Sequence, residues 1–292
     1  MTTPEPFLAA AVAMNVLHDR EQNLQKIQDF MGQAAAQGAR LVVFPEAAVQ
    51  GFLFHVDTHF DPNEAQYHWQ NAEHVPGPTT AQLTEWCAQH DLVVVVGLME
   101  RVDHPSLPVL HNSAVVVGPG GLLGVYRKVH QPSEETLAYR TGSQWPVVDT
   151  PLGRLGALIC YDQCFPEAAR ELTLRGAQIL AIPNAWARLD RASDDRYDFF
   201  GRARAAENCR WLLQANQVGP SDRGDHVYLG YSRIIDPAGQ VAAHVVPGAE
   251  GLAITEITAT TYDPTRARAG WLLQQRRPET YTATADATPY SS

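Results

Sequence analysis

The apolar run Leu155-Gly-Ala-Leu-Ile159 stops at Cys160, and Pro166 then opens a helical pattern that reaches about Arg175 and ends at Gly176. A thiol on a strand-to-helix corner is held clear of the core, where unpaired N–H groups near the helix start favour a thiolate or a developing oxyanion. That placement suits a nucleophile. A free cysteine is more often a small buried hydrophobe, so the reading needs support from elsewhere in the chain.

Two other strand ends supply it. Leu41-Val-Val-Phe44 runs into Pro45 and Glu46, which puts a carboxylate directly after an apolar strand. Most glutamates are solvated, but desolvation here raises the carboxyl pKa toward the range of a general base. Leu122 to Tyr126 runs into Arg127, Lys128, Val129 and His130. An ammonium beside a thiol and a carboxylate is expected to lower the thiol pKa and to stabilise a tetrahedral anion. Alone, Lys128 would read as a surface lysine. His130 is a rival base, since a cysteine–histidine pair also makes a hydrolase.

These corners need elements to hold them. Phe7 to Met14 reads as a first strand. Asp19 and Gln22 form a capping pair for a helix with Leu24, Ile27 and Met31 on one face and Gly38 as its stop. Thr79 to His90 reads as a second helix capped by Thr79 and Gln82, with Leu83, Trp86, Cys87 and His90 on its buried face. Leu92 to Gly97 is a strand covered on both sides. Asn112 to Val117 and Leu122 to Tyr126 form a hairpin around Gly118-Pro-Gly-Gly121, which lacks the lysine and helix of a phosphate loop. A helix is expected from about Tyr197 to Arg210 with Phe200, Ala203 and Ala206 inward, preceded by a charged segment from Asp190 to Asp198 that reads as a loop or helix start facing solvent or as a mobile rim over the pocket. Gln37-Gly-Ala-Arg-Leu-Val-Val-Phe-Pro-Glu-Ala47 is echoed by Arg175-Gly-Ala-Gln-Ile-Leu-Ala-Ile-Pro-Asn-Ala185, which suggests an α/β fold of two related halves around a common core.

Composition narrows the class. The chain has 292 residues, 45% hydrophobic and 18% charged, which suits one large domain over residues 1–260 and a C-terminal arm over 261–292. A net charge of −10 argues against a nucleic-acid partner. No stretch has the length of a membrane span, Phe7 to Met14 makes a poor signal peptide, and four cysteines make no disulfide framework, so a cytoplasmic setting is expected. Cys160 and Cys164 lack a matching second pair for zinc. His55 and His59, with His68 beyond, fall in a loop bounded by Gly51, Pro62 and Asn63 and read as a solvated or pocket-lining surface.

Phe44-Pro-Glu46, Tyr126-Arg-Lys128-Val-His130 and Ile159-Cys160-Tyr-Asp-Gln-Cys-Phe-Pro-Glu167 together resemble, in order and spacing, the three motifs of the nitrilase superfamily of carbon–nitrogen hydrolases. Smaller similarities, such as Arg202-Ala-Arg-Ala-Ala-Glu-Asn208, extend it over roughly Phe7 to Ile257. The resemblance implies a four-layer α-β-β-α sandwich, Cys160 as nucleophile, Glu46 as general base, Lys128 as stabiliser of the tetrahedral species, and no metal or organic cofactor. It also implies a second glutamate, for which Glu135 fits the register better than Glu134, and a homodimer or higher homo-oligomer with the arm from Pro264 to Arg277 on a partner subunit.

Tyr161-Asp162 and Phe165-Pro166-Glu167 are closer to the amidase and carbamoylase branches than to nitrilases, which favours a small linear amide as substrate. D-amino-acid carbamoylases carry arginines just after the nucleophile motif, where this chain has Gln163 and Cys164. The N-carbamoylputrescine group is nearer, without a match in the flanking segments. Tyr161 lends its backbone N–H to the oxyanion in this reading, and Phe52, Phe54, Trp145, Asn184 and Trp186 are candidates for the pocket wall or, equally, for core packing. A silent scaffold of the same fold, an acyl transferase, an N-carbamoyl amidohydrolase, a nitrilase and a papain-like Cys160–His130 pair remain alternatives.

Overall fold

The computed structural model describes residues 5–52, 62–105, 108–132, 135–223, 226–259, 271–281 and 284. Phe54, His55, His59, Glu134 and most of the expected C-terminal arm lie outside the described residues.

The N-terminal half opens with β1 (Phe7–Ala13), α1 (Arg20–Ala36) and β2 (Ala39–Val43). It continues through α2 (Pro62–Asn71), α3 (Pro78–His90), β3 (Val93–Val102), β4 (Val109–Gly118) and β5 (Gly121–Arg127). The second half runs β6 (Val147–Thr150), β7 (Gly153–Ala157), α4 (Pro166–Leu174), β8 (Ile179–Asn184) and α5 (Arg191–Asn208). It closes with β9 (Trp211–Asn216), a small ribbon of β10 (Val218–Pro220) and β11 (Val227–Leu229), then β12 (Arg233–Ile235), β13 (Val241–His244) and β14 (Gly251–Ile257).

Two six-stranded sheets result, ordered β14-β1-β2-β3-β4-β5 and β13-β12-β9-β8-β7-β6. Strand alternation explains the layers. Ala9, Ala11, Ala13, Leu41, Val43, Val93 and Val95 point to one side and meet Leu155, Ala157, Ile179, Ala181, Leu213 and Ala215 of the other sheet. Their neighbours Ala10, Val12, Val42, Val94 and Val96 point to the opposite side, against Ile27, Met31, Leu83 and Trp86 of α1 and α3. Leu180, Ile182 and Leu212 likewise meet Ala168, Leu172 and Ala205 of α4 and α5. Strands covered on both faces must be apolar without interruption, and these are. The fold is therefore the α-β-β-α sandwich. The repeated segment supplies its two middle strands: β2 is parallel to β1 and β3, and β8 is parallel to β7 and β9.

Local signals behave as physical chemistry requires. Asp19 Oδ1 accepts from the Gln22 N–H at 3.0 Å, and Gly38 and Gly176 leave α1 and α4 with φ of 84° and 97°. The cap of α3 differs from expectation. Gly77 is its N-cap, and its N–H donates to Thr80 Oγ1 at 2.8 Å, while Thr79 Oγ1 is taken by Glu73. His90 is only half-buried on that helix. The other correction is α5, which starts at Arg191 rather than near Tyr197 because Asp190 accepts from the Ser193 N–H at 2.6 Å. Its buried face carries Tyr197, Gly201, Arg204, Ala205 and Asn208 rather than the expected Phe200, Ala203 and Ala206. No helix among the described residues is long and apolar enough to cross a membrane.

Candidate active site

Glu46 follows β2 on a turn clamped between the two sheets. Its N–H donates to the Asn184 carbonyl at 3.3 Å, and its own carbonyl accepts from Gln217 Nε2 at 2.8 Å. Ala47 next to it has a φ of 51°, a costly conformation for a residue with a side chain. Gly97 of β3 supports this turn at close range. A Cβ there would stand 2.5 Å from the Pro45 carbonyl oxygen and 2.6 Å from the Ala47 nitrogen. Gly97→Ala is therefore expected to shift Glu46 and lower kcat about 10- to 100-fold, with the far-ultraviolet circular dichroism of the wild type.

Lys128 sits just past β5. Its N–H donates to the Asn112 carbonyl at 2.9 Å, and Arg127 beside it forms a two-pronged pair with the buried Glu100 at 2.7 and 2.6 Å. These contacts turn Lys128 inward, where it is 1% exposed. Its ammonium donates to Glu46 Oε1 at 2.7 Å and also to Glu135 Oε1, and the Phe52 ring centre lies 5.8 Å away. Burial opposes the ammonium, but the Glu135 and Glu46 carboxylates outweigh it and hold Lys128 protonated well above the usual lysine range. Glu135, on a short 3-10 turn, is pushed up to about 7 by burial, against the pull of Lys128 and with the help of Glu46. Glu46 is completely buried and accepts two further bonds, from Asn112 Nδ2 at 2.7 Å and from the Ala185 N–H at 2.9 Å.

Cys160 begins a 3-10 turn, Cys160–Cys164, that intervenes before the proline-started α4. Its φ of 44° records the sharp corner. Asp162 locks that corner from beneath. Its carboxylate accepts from the Ile159 N–H at 2.9 Å, from the Tyr126 hydroxyl at 2.6 Å, and from both the backbone N–H and Nδ1 of His130 at 2.9 Å. Asp162→Ala leaves these buried donors unpaired and should cost about 3 kcal/mol in urea unfolding.

Lys128 pulls the Cys160 thiol pKa down, as expected, but does not set its net direction. Burial and the Glu46 charge push it well above the usual thiol range, and Lys128 and the Ala185 N–H only partly offset them. A thiol in that state needs a base to accept its proton as it attacks. His130 is poorly placed for the task. It is held by Asp162 and stacked on Phe165 at 3.8 Å between ring centres, and it does not line the cavity that contains Cys160.

That cavity measures about 440 Å³ and brings together Phe52, Lys128, Glu135, Cys160, Tyr161 and Trp186. Two of the candidate wall residues are elsewhere. Trp145, half-buried, stacks on Tyr126 with 5.5 Å between ring centres and packs against the core from its edge. Asn184 is buried, donating to the Ile182 carbonyl at 2.6 Å and accepting from Gln163 Nε2 at 2.8 Å, so it braces the Cys160–Cys164 turn. The wall also has members that sequence reasoning did not assign: Pro132, Cys164, Ala185, Leu189, Ser193, Arg196 and Phe200. Two of them, Ser193 and Arg196, come from the segment 190–198, for which a rim over the pocket is one of the two readings of the sequence. Trp186 Nε1 donates to Ser193 Oγ at 3.1 Å, which joins that rim to the wall. Burial raises the Cys164 thiol to about 11 against the charges of Arg204 and Arg196.

The model of the family described as carbon-nitrogen hydrolase matches residues 8–267. The chain belongs to that family. Among the curated members of the carbon-nitrogen hydrolase family, the nitrilase of Pyrococcus abyssi is 32% identical over 254 residues, 85% of this chain and 88% of that protein. Human omega-amidase is 28% identical over 247 residues, 81% of this chain and 83% of its own. Among solved structures, a doubly substituted amidase from Nesterenkonia sp. AN1 in complex with acrylamide has a TM-score of 0.75 at 27% identity, covering 94% of this chain and 95% of that one. Another variant of that amidase carries the acetamide moiety of fluoroacetamide on its active-site cysteine, with a TM-score of 0.73, 26% identity, and 96% and 97% coverage. The carbon-nitrogen hydrolase reading of the three motifs is thus correct at the level of family and fold.

Proposed function

We propose that the chain hydrolyses small linear amides through a thioester on Cys160. The observation that carries the reading is that Lys128 and Cys160 line one cavity, with Lys128 Nζ 2.7 Å from Oε1 of the completely buried Glu46, whose charge acts on the Cys160 thiol. The amidase neighbours, one with acrylamide bound and one with an acetamide group on the cysteine, favour an amide over a nitrile.

Glu46 takes the thiol proton as the Cys160 sulfur attacks the amide carbonyl. The oxyanion is met by the Lys128 ammonium and the Tyr161 backbone N–H. Collapse breaks the carbon–nitrogen bond, and Glu46 returns its proton to the departing ammonia or amine. Water then attacks the thioester, again giving a proton to Glu46. The second collapse releases the carboxylic acid and re-forms the thiol. Glu135 holds Lys128 in place and passes no proton to the reacting atoms in this scheme.

Ammonia release from primary amides, N-carbamoyl amines and nitriles, measured for the wild type and Cys160→Ala, tests the proposal. Amide turnover that vanishes with the sulfur supports it. Turnover of nitriles alone would move the assignment to the nitrilase activity named for the Pyrococcus relative. Amide turnover that survives Cys160→Ala would remove the proposed nucleophile.

A further inference from the structure

On the face that β9 and β12 turn to α5, Leu212 and Ile235 pack among apolar residues of α4 and α5. Gln214 and Arg233 stand two residues along on the same face, opposite each other across the strands, and both are completely buried. An amide and a guanidinium thus occupy places where alternation calls for apolar side chains. Burying them is costly unless they are hydrogen-bonded, and they are. Arg233 Nε donates to Gln214 Oε1 at 2.6 Å, its Nη2 donates to the Tyr197 carbonyl at 2.8 Å, and its Nη1 donates to Asp198. Gly201 of α5 leaves room for the pair. A Cβ there would collide with Gln214 Oε1 and stand 2.5 Å from its Cδ.

Two further amides continue the line. Gln214 Nε2 donates to Gln163 Oε1 at 2.6 Å, Gln163 Nε2 to Asn184 Oδ1 at 2.8 Å, and Asn184 Nδ2 to the Ile182 carbonyl at 2.6 Å. Both ends fix its direction. A guanidinium can only donate and a backbone carbonyl can only accept, so no amide in the line can turn over without setting donor against donor or acceptor against acceptor. Bonds in such a chain polarise and strengthen one another. Arg204 of α5 adds a second grip, donating to the Gln163 carbonyl at 2.8 Å.

The line ends on groups that the reaction needs in register. Gln163 lies in the Cys160–Cys164 turn. The Asn184 carbonyl accepts from the Glu46 N–H at 3.3 Å, and the next N–H, that of Ala185, donates to Glu46 Oε2 at 2.9 Å. We infer that Arg233, Gln214 and Gln163 are positioning residues that hold the Cys160 turn in register with Glu46 and tie both to α5. None of the three is among the residues lining the cavity, so they act through Cys160 and Glu46 and not on the substrate. The inference rests on Cys160 as nucleophile and Glu46 as its base.

Gln214→Glu tests the relay. Its carboxylate keeps the shape and still accepts from Arg233, but has no donor for Gln163. With the folded fraction taken from urea unfolding, kcat per folded molecule for a primary amide is expected to fall about 10- to 100-fold, with KM within about threefold of the wild type. Gly201→Ala, which presses on Gln214 from α5, should lower kcat about tenfold in the wild type and have little further effect beside Gln214→Ala, where the methyl has room. Alkylation of Cys160 by iodoacetamide needs no substrate, and it should slow about tenfold in Gln214→Glu because the thiol loses its aligned base. Residues that serve the fold alone would move the unfolding midpoint and leave both rates per folded molecule unchanged. That result, or equal losses from Gly201→Ala in both backgrounds, overturns the relay and leaves amide hydrolysis standing. Alkylation that slows in Gln214→Glu while the wild type turns over no amide upholds the relay and overturns amide hydrolysis.

Discussion

Glu46→Gln is expected to lower kcat/KM for a primary amide by about 10³-fold or more, whereas His130→Ala keeps the wild-type value within about tenfold. The contrast follows from the state of the thiol. Burial and the Glu46 charge raise the Cys160 pKa, so the sulfur reaches the carbonyl as a nucleophile only if its proton has somewhere to go. The completely buried Glu46 carboxylate, held by Lys128, Asn112 and the Ala185 N–H and close enough for its charge to act on the thiol, is the acceptor in the proposed scheme. Glutamine keeps the shape and loses the basicity. His130 points its Nδ1 at Asp162, so removing the imidazole takes away packing on Phe165 and leaves the backbone N–H bond to Asp162 intact. Steady-state kinetics on both variants decide the matter, and the reverse order of effects would establish a papain-like pair.

Lys128→Met should be the most damaging single substitution for stability, at about 3–5 kcal/mol, because it strands Glu46 and Glu135 in the interior without a counter-ion. The loss has a predictable pH dependence. Glu135 already sits at about 7, above its ordinary value, so its ionisation in the folded protein is unfavourable and lowers stability as pH rises through that point. Without the ammonium its pKa rises further, and the Glu135 carboxyl escapes the penalty only by taking up a proton. The gap between wild type and variant is therefore expected to be widest above pH 8 and to narrow toward pH 5. Urea unfolding across that range measures it. A gap independent of pH would mean that Lys128 stabilises by packing alone. Activity should fall with stability, because the same ammonium meets the oxyanion.

The chemistry was readable in the chain because each of the three central groups ends an apolar strand, and such an ending is a local pattern. Glu46 after Phe44, Lys128 after Tyr126 and Cys160 after Ile159 all announce a polar group carried out of a covered sheet. The layers were readable for the same reason, since β2 and β8 repeat one Gly-strand-Pro unit. What the chain hides is pairing at a distance. The partners of Lys128 are Glu135 nearby and Glu46 far away in sequence, and only the packing of one hairpin on the turn after β2 unites all three. Asn184 and Trp145 follow motif ends just as Trp186 does, but one satisfies buried backbone groups and the other, half-buried, stacks on Tyr126 at the edge of the core. The start of α5 reads as near Tyr197, with 190–198 as a loop or helix start, because its first turns, Arg191 to Arg196, carry almost no apolar residues. The Asp190–Ser193 cap was the local signal available there. Its buried face includes Arg204 and Asn208, which hydrophobic periodicity does not find.

The central claim is a covalent acyl group on Cys160, and nucleophile partitioning tests it most directly. Propionamide and N-methylpropionamide would be turned over in the presence of hydroxylamine, and the ratio of hydroxamate to acid measured for each, with Cys160→Ala alongside. The account predicts one common ratio for both substrates, because both leave the same thioester, and no product of either kind from the variant. A ratio that changes with the leaving amine, or hydroxamate formed without the sulfur, would contradict it.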